Sequence, residues 1–215
     1  MYGTIIFDLD GTLTNTLQDI ADAMERALRL HGLPGHPLER YRYMVGNGAR
    51  KLAERAVGDR QDLAHEVLAD YQSYYEEHDC VTTKPYAGMP ATLKALSAAG
   101  VRLCVLSNKP HADTVNVVRH FFPQIGWSVV RGQLPGVPVK PDPAGALAIA
   151  DALCVSPKDC LYLGDTDVDM QTALAAGMEP VGALWGFRTE KELLENGARH
   201  LCTRPEELIP LALED

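Results

Sequence analysis

The sequence predicts an α/β fold in which a parallel sheet is covered by helices on both faces and an all-helical block is set into it. Three observations carry that expectation. A short apolar run, Ile5-Ile6-Phe7, stops abruptly at Asp8-Leu9-Asp10-Gly11-Thr12-Leu13-Thr14, as a buried strand does when it delivers polar groups into a turn. From about residue 83 to the end, strand-like and helix-like patterns alternate. Between them, from about residue 15 to residue 82, the apolar spacing is helical throughout. The first strand therefore finds no partner until the helical block is over. The simplest arrangement is one core, residues 1–14 plus 83–215, interrupted by a helical cap over residues 15–82. An insertion there hangs over the carboxyl end of the sheet, where open parallel sheets bind ligands.

The elements follow in order. Leu17, Ile20, Ala21, Met24, Ala27 and Leu28 lie on one face of a helix that ends near Leu30, with Gly32 and Pro34 as its stop. Helices are expected over Leu38 to Met44, over Ala49 to Val57 after the turn Gly46-Asn47-Gly48, and from Asp62 to about Glu77. Tyr41, Tyr43, Tyr71, Tyr74 and Tyr75 fall in this block and are expected to pack between its helices. Past Lys84-Pro85-Tyr86 comes a helix over Met89 to Ala99, closed by Gly100, and a buried strand Val101 to Leu106 that ends in Ser107-Asn108-Lys109. The alternation continues with a helix to Phe121, a strand Ser128 to Val130, a helix Pro143 to Leu153, a strand Cys160 to Leu163 and a helix Val168 to Ala176. A strand Pro180 to Leu184, a helix Glu190 to Glu195, a short strand near His200 to Cys202 and a helix from Pro205 complete it. Gly132 to Pro141, rich in proline and closing on Lys140, is the nearest thing to a linker.

Composition bounds the function. A hydrophobic content of 46% supplies a real core, and a formal charge of −9 without a basic block argues against nucleic acid or an anionic membrane as partner. No basic segment precedes an apolar one at the start, and no apolar stretch approaches the roughly 18 residues of a membrane span. The expectation is a soluble cytoplasmic protein, monomeric or homodimeric. The five cysteines, Cys80, Cys104, Cys154, Cys160 and Cys202, contain no C-x-x-C pair and are read as reduced core residues.

Four segments place polar residues at successive strand ends: Asp8 and Asp10; Ser107, Asn108 and Lys109; Lys140; and Gly164 to Asp169. Each alone has a plain structural explanation, such as a helix cap or a turn. Their recurrence along one sheet edge points to a site. Converging Asp8, Asp10, Asp165 and Asp169 need a cation, since two carboxylates about 4 Å apart repel by roughly 4 kcal/mol at an effective dielectric near 20. All-oxygen ligation suits Mg²⁺ better than zinc. Lys140 and the donors of Ser107 and Asn108 would then meet the remaining oxygens of a phosphoryl group.

At DLDGTLTNT (Asp8 to Thr16), VLSNKP (Val105 to Pro110), VKPDP (Val139 to Pro143) and YLGDTDVDMQTALAAGM (Tyr162 to Met178) the chain resembles the haloacid dehalogenase-like hydrolase superfamily. VGNGARKL (Val45 to Leu52) and WGFRTEKELLENGARHL (Trp185 to Leu201) add similarity to its phosphoglycolate phosphatase-like branch, in which a helical cap is inserted. The resemblance implies a Rossmann-like three-layer core, and it implies roles. Asp8 matches the nucleophile that forms an aspartyl-phosphate. Asp10 matches the general acid and base, an acid that true dehalogenases of this fold usually lack. Asp8, the Asp10 backbone carbonyl and Asp165 match the Mg²⁺ ligands, and Asp169 the acid that supports them. Ser107 matches the phosphate-binding hydroxyl, Asn108 its neighbour, and Lys140 the lysine between phosphoryl oxygen and nucleophile.

The implied activity is a Mg²⁺-dependent phosphatase acting on a small phosphorylated metabolite, with 2-phosphoglycolate foremost. Its competitors are a phosphomutase of the beta-phosphoglucomutase type and a non-catalytic phosphate- or metal-binding protein. Gly46, Asn47, Gly48 and above all Arg50 are the cap residues expected to meet substrate, Arg50 through a second anionic group. Lys109 is read as a surface or cap-facing charge and Asp167 as solvent-facing. His65-Glu66 is no zinc helix, because Ala69 stands where a second histidine is required.

Overall fold

The computed structural model describes residues 1–214, so Asp215, the last residue of the expected core, lies outside the described residues. Thr4–Phe7 (β1) is buried along its whole length and occupies an interior position in a parallel sheet. Arg102–Pro110 (β4) lies on one side of it, followed by Val129–Gln133 (β5). Cys160–Gly164 (β6) lies on the other, followed by Glu179–Ala183 (β7) and His200–Cys202 (β8). The described residues thus form a six-stranded sheet in the order β5-β4-β1-β6-β7-β8. Counted along the core alone, this is the doubly wound order, in which the chain leaves β1 in opposite directions on its two sides. A crevice opens at the carboxyl ends of β1, β4 and β6 for that reason.

Strand alternation divides the core into two layers. Ile5 and Phe7 pack with Met89, Leu93 and Leu96 of Met89–Ala98 (α5), Val117 and Val118 of His111–Phe121 (α6), and Leu208 and Ala212 of Leu208–Leu213 (α10). Ile6 faces the other way, onto Ala146 and Ile149 of Ala144–Ala152 (α7) and Ala173 of Asp167–Ala176 (α8). Glu190–Glu195 (α9) seats Leu193 beside Met170 of α8. Side chains of this size contribute about 1.5–3 kcal/mol each when fully buried, which is why the pattern of alternation fixes which face each strand shows.

Leu17–Leu30 (α1), Leu38–Met44 (α2), Ala49–Ala56 (α3) and Ala64–His78 (α4) share a separate apolar cluster containing Met24, Leu28, Tyr41, Leu52, Val67 and Tyr75. One core residue, Phe187, is buried in that cluster too. Two crossings join this helical unit to the sheet. Thr14–Asn15 (β2) and Lys84–Pro85 (β3) pair antiparallel, a two-residue ladder that the sequence pattern does not announce. Asp19 in the first turn of α1 ties the crossings together: it accepts from Thr82 N (2.9 Å) and Oγ1 (2.6 Å) and from Thr83 N (2.9 Å) and Oγ1 (2.7 Å).

Several expectations need correction. β4 runs four residues past Leu106, because pairing with β5 resumes at Pro110↔Gln133. The helix expected from Asp62 begins at Ala64 after a tight turn over Gln61–Leu63, and the final helix is likewise preceded by a turn over Pro205–Glu207. Cys154 is exposed at a left-handed turn (φ 52°) after α7 and Cys80 is half-buried, while Cys104, Cys160 and Cys202 are core residues. Of the tyrosines, Tyr41, Tyr71 and Tyr75 are buried, but Tyr43 is exposed. No helix of the described residues is long and apolar enough to cross a membrane.

Burial pushes the Asp19 carboxyl up, yet the bonds from Thr82 and Thr83 outweigh it and hold the group below its ordinary range. Asp19→Ala leaves these donors without their acceptor and is expected to cost about 3 kcal/mol in a denaturant titration near neutral pH. Because the folded-state value is depressed, the carboxylate's contribution is present above the unfolded-state Asp value and is lost as pH falls through the folded one. The difference between variant and parent should accordingly shrink in acid.

Candidate active site

Asp8 leaves the end of β1 buried, with Oδ1 2.8 Å from Lys140 Nζ. The same ammonium lies 2.6 Å from Asp169 Oδ1. Asp169 Oδ2 accepts from Thr166 N (3.1 Å) and Oγ1 (2.6 Å), closing a capping box at the start of α8, so this acid both caps the helix and holds Lys140. Asp165, at the end of β6, accepts from Thr12 Oγ1 (2.7 Å) on one oxygen and from Phe187 N (2.8 Å) on the other. One carboxylate oxygen from each of Asp8, Asp165 and Asp169 lies within 4.8 Å of the other two. Glycines make room for this approach. A Cβ on Gly11, whose φ is +92°, would stand 2.3 Å from Asp165 Oδ2, and one on Gly186 would stand 2.1 Å from Asp165 Cβ.

The charges are out of balance. Burial and then Asp169 push the Asp8 carboxyl well above its ordinary value, Lys140 opposing them. Burial and Asp169 raise Asp165 to about 7 against the bonds from Phe187 and Thr12. Lys140 is desolvated as well, but Asp169 and Asp8 outweigh that loss and hold its proton firmly. Three buried acids with one ammonium form an all-oxygen donor set still short of positive charge. Such a set fits a hard divalent cation and does not fit zinc, which wants nitrogen or sulfur.

Asn108, on the extended end of β4, pairs with the backbone of Lys140 on both sides: Lys140 N donates to Oδ1 (2.8 Å), and Nδ2 donates to Lys140 O (3.0 Å). Nδ2 also reaches Gly46 O of the helical unit at 3.0 Å. Its amide is therefore spent on positioning Lys140. Ser107 Oγ accepts from Lys109 N (3.2 Å), which leaves its hydroxyl proton to be donated. Lys109 is not a surface charge. It faces the helical unit and is buried, with Nζ 2.7 Å from Tyr75 Oη and 3.3 Å from Asp10 Oδ1.

A cavity of about 480 Å³, counting the solvent in its mouth, separates sheet and helical unit. Asp8, Asp10, Ser107, Asn108 and Lys109 form its floor. Ile20, Val45, Ala49, Leu52 and Tyr71, with the backbone of Gly46 and Gly48, form its roof. Asn47 and Arg50 stay out. Asn47 accepts from Arg55, and the Arg50 side chain is 85% exposed and paired with Glu54 at 3.1 Å, because Leu52, Ala53 and Ala56 form the buried face of α3. Asp167 is partly exposed, 3.5 Å from Arg188 Nε.

The sequence offered no sign of the bonds that fasten roof to floor. Arg42 of α2 donates to Gly186 O (2.8 Å) and Phe187 O (3.1 Å), and Arg188 donates in return to the Arg42 and Val45 carbonyls. Thr12 went unassigned too, although a hydroxyl directly after Asp-Gly in the first turn was a signal for it.

Fold and site together define a class: a doubly wound α/β enzyme core with a charge-deficient acid cluster at its switch point, roofed by a helical insert. A model of the haloacid dehalogenase-like hydrolases matches residues 2–177. The chain belongs to that family, in its phosphoglycolate phosphatase-like branch. It is 33% identical over 189 residues to a phosphoglycolate phosphatase of Aquifex aeolicus, covering 85% of each chain. It is 36% identical over 197 residues to one of Pseudomonas putida, covering 85% of this chain and 70% of that one. A solved structure from Lactobacillus delbrueckii subsp. bulgaricus superposes with a TM-score of 0.93 at 27% identity, over 100% of this chain and 99% of that one. A haloacid dehalogenase-like hydrolase of Streptococcus pneumoniae shares the fold at 20% identity, with a TM-score of 0.89 over 98% of both chains.

The acid cluster makes a signed prediction. Asp165 is raised in the folded state, so folded protein keeps a proton that unfolded chain releases between the ordinary Asp value and about 7, and stability falls as pH rises through that window. Chelator-treated protein should lose thermal stability from about pH 4 to pH 7, and Asp165→Asn should flatten that fall. A hard divalent cation that binds the cluster, added at pH 8, should restore stability, by about 2.7 kcal/mol at a hundredfold excess over Kd.

Proposed function

We propose that this chain is a Mg²⁺-dependent phosphatase that hydrolyses the phosphate monoester of a small metabolite, 2-phosphoglycolate foremost, through an aspartyl-phosphate on Asp8. The observation that carries the reading is the buried Asp8–Lys140–Asp169 chain opening on a roofed cavity, with Asp10 two residues on from Asp8. The phosphoglycolate phosphatases of Aquifex aeolicus and Pseudomonas putida support the choice of ester.

The steps follow from the residues. Asp8 attacks phosphorus in line, an O–P bond forms to its carboxylate, and the ester O–P bond breaks. Asp10 gives its proton to the departing alkoxide. It then takes a proton from the water that attacks the same phosphorus, and the O–P bond to Asp8 breaks to release phosphate. Lys140 holds the nucleophile and offsets charge on the phosphoryl oxygens, and Ser107 donates its hydroxyl to one of them. Asp8, Asp165 and the Asp10 carbonyl would hold Mg²⁺, with Asp169 in support because its oxygens are committed to Lys140 and Thr166. When bound, the ion neutralises negative charge developing on the phosphoryl group. The helical roof keeps bulk water from the intermediate.

Phosphate release from a panel of small esters, with Mg²⁺ or chelator and without added bisphosphate, tests the reading. Metal-dependent release that prefers 2-phosphoglycolate, and falls at least about 1,000-fold in kcat with Asp8→Asn, is the expected result. Release that required a bisphosphate would favour a mutase, and none under any condition a binding protein.

A further inference from the structure

We propose that Lys109 selects the substrate: its ammonium takes the carboxylate of a short phosphorylated hydroxy acid at the leaving-group end of the cavity. The inference rests on the phosphatase reading and narrows it. Two aspartates and a serine face the cavity from the floor, and the side chains of the roof are Ile20, Val45, Ala49, Leu52 and the Tyr71 ring. The ammonium of Lys140 is committed between Asp8 and Asp169, and Arg50 points away from the cavity. Among the described residues lining the cavity, Lys109 is then the one cation.

Its setting is built for holding a charge out of water. The side chain is 4% exposed, and a buried ammonium is costly unless its donors are met. Tyr75 accepts one hydrogen bond at 2.7 Å, and its ring lies 4.3 Å from the same nitrogen. Asp10 accepts a second across a long 3.3 Å. An ammonium has three donors, and the third is left for the space that Lys109 lines. A largely apolar roof, with Tyr71 as its one hydroxyl-bearing side chain, gives a polyhydroxylated leaving group few partners, and desolvated hydroxyls without partners count against binding. A short leaving group ending in one anion meets both conditions. Tyr75 belongs to α4, so the selecting charge is held from the helical unit while the chemistry sits on the sheet.

The test compares kcat/KM for 2-phosphoglycolate with that for 2-hydroxyethyl phosphate, which has the same length with a hydroxymethyl group replacing the carboxylate. The parent is expected to prefer the acid by about 100-fold. Lys109→Met should reduce this ratio by about 30-fold or more, chiefly through KM for the acid, whatever it does to both rates through Asp10. Tyr75→Phe, which removes one hydroxyl and keeps the ring, should reduce it by about threefold and serves if Lys109→Met does not fold. A ratio unmoved in the folded variants would overturn the inference, as would a parent indifferent to the carboxylate. Failure of the parent to turn over either ester would instead remove the phosphatase reading on which the inference rests.

Discussion

The Lys140 ammonium, held between Asp8 and Asp169, is the interaction on which the rest of the site depends. Three carboxylates cannot be gathered in a buried crevice without compensation, since each pair at contact distance costs several kcal/mol against a stability margin of about 5–15 kcal/mol. Lys140 meets part of that cost from a proline-rich loop outside the sheet. Asn108 fixes its position by pairing with both backbone groups of Lys140 from the end of β4. The imbalance that remains, visible in the raised Asp8 and Asp165, leaves an all-oxygen set of the kind that suits a hard cation.

The helical unit is fastened to the sheet at the points where the chemistry is organised. Asn108 reaches Gly46, Lys109 reaches Tyr75, and the segment Gly186 to Arg188 exchanges hydrogen bonds with Arg42 and Val45. Phe187 makes that segment double-ended: its backbone N–H holds Asp165 while its ring is buried in the apolar cluster of the helices. A displacement of the roof would pull on the partner of an acid in the cluster. Position of the roof and geometry of the floor are thus mechanically linked, as is common where a closing element completes a site.

Division of labour follows from the same construction. On the proposed mechanism the groups that meet the reacting phosphoryl, Lys140 apart, sit on strand ends of the sheet, where backbone pairing fixes them, whereas the walls of the cavity beyond them come mostly from helices. Such a division lets one family keep its chemistry and vary its substrates, and on the proposed reading the choice of ester lies in the roof and in Lys109.

By itself the sequence determined the α/β alternation, the helical spacing that interrupts it and the polar motifs at its strand ends. Alternation of strand and helix, broken by 68 residues of helical spacing (15 to 82), leaves an inserted helical unit as the simplest arrangement, and four polar motifs at strand ends mark the crevice. Asp8, Asp165, Asp169 and Lys140 were legible because each follows directly from its own strand or loop. What only the tertiary structure decided depends on contacts between segments far apart in the chain. Arg50 follows a glycine turn like a ligand-binding residue, but the helical phase that buries Leu52 and Ala53 turns it to solvent. Lys109 reads as a surface or cap-facing charge, and only Tyr75 and Asp10, 34 and 99 residues away, decide between the two by closing against it. Exchange of bonds between Arg42 and Arg188 has no local pattern at all, since an arginine that donates to a backbone carbonyl leaves no periodicity behind. Periodicity records which face of an element is buried; which partner covers that face is settled only when the chain closes on itself.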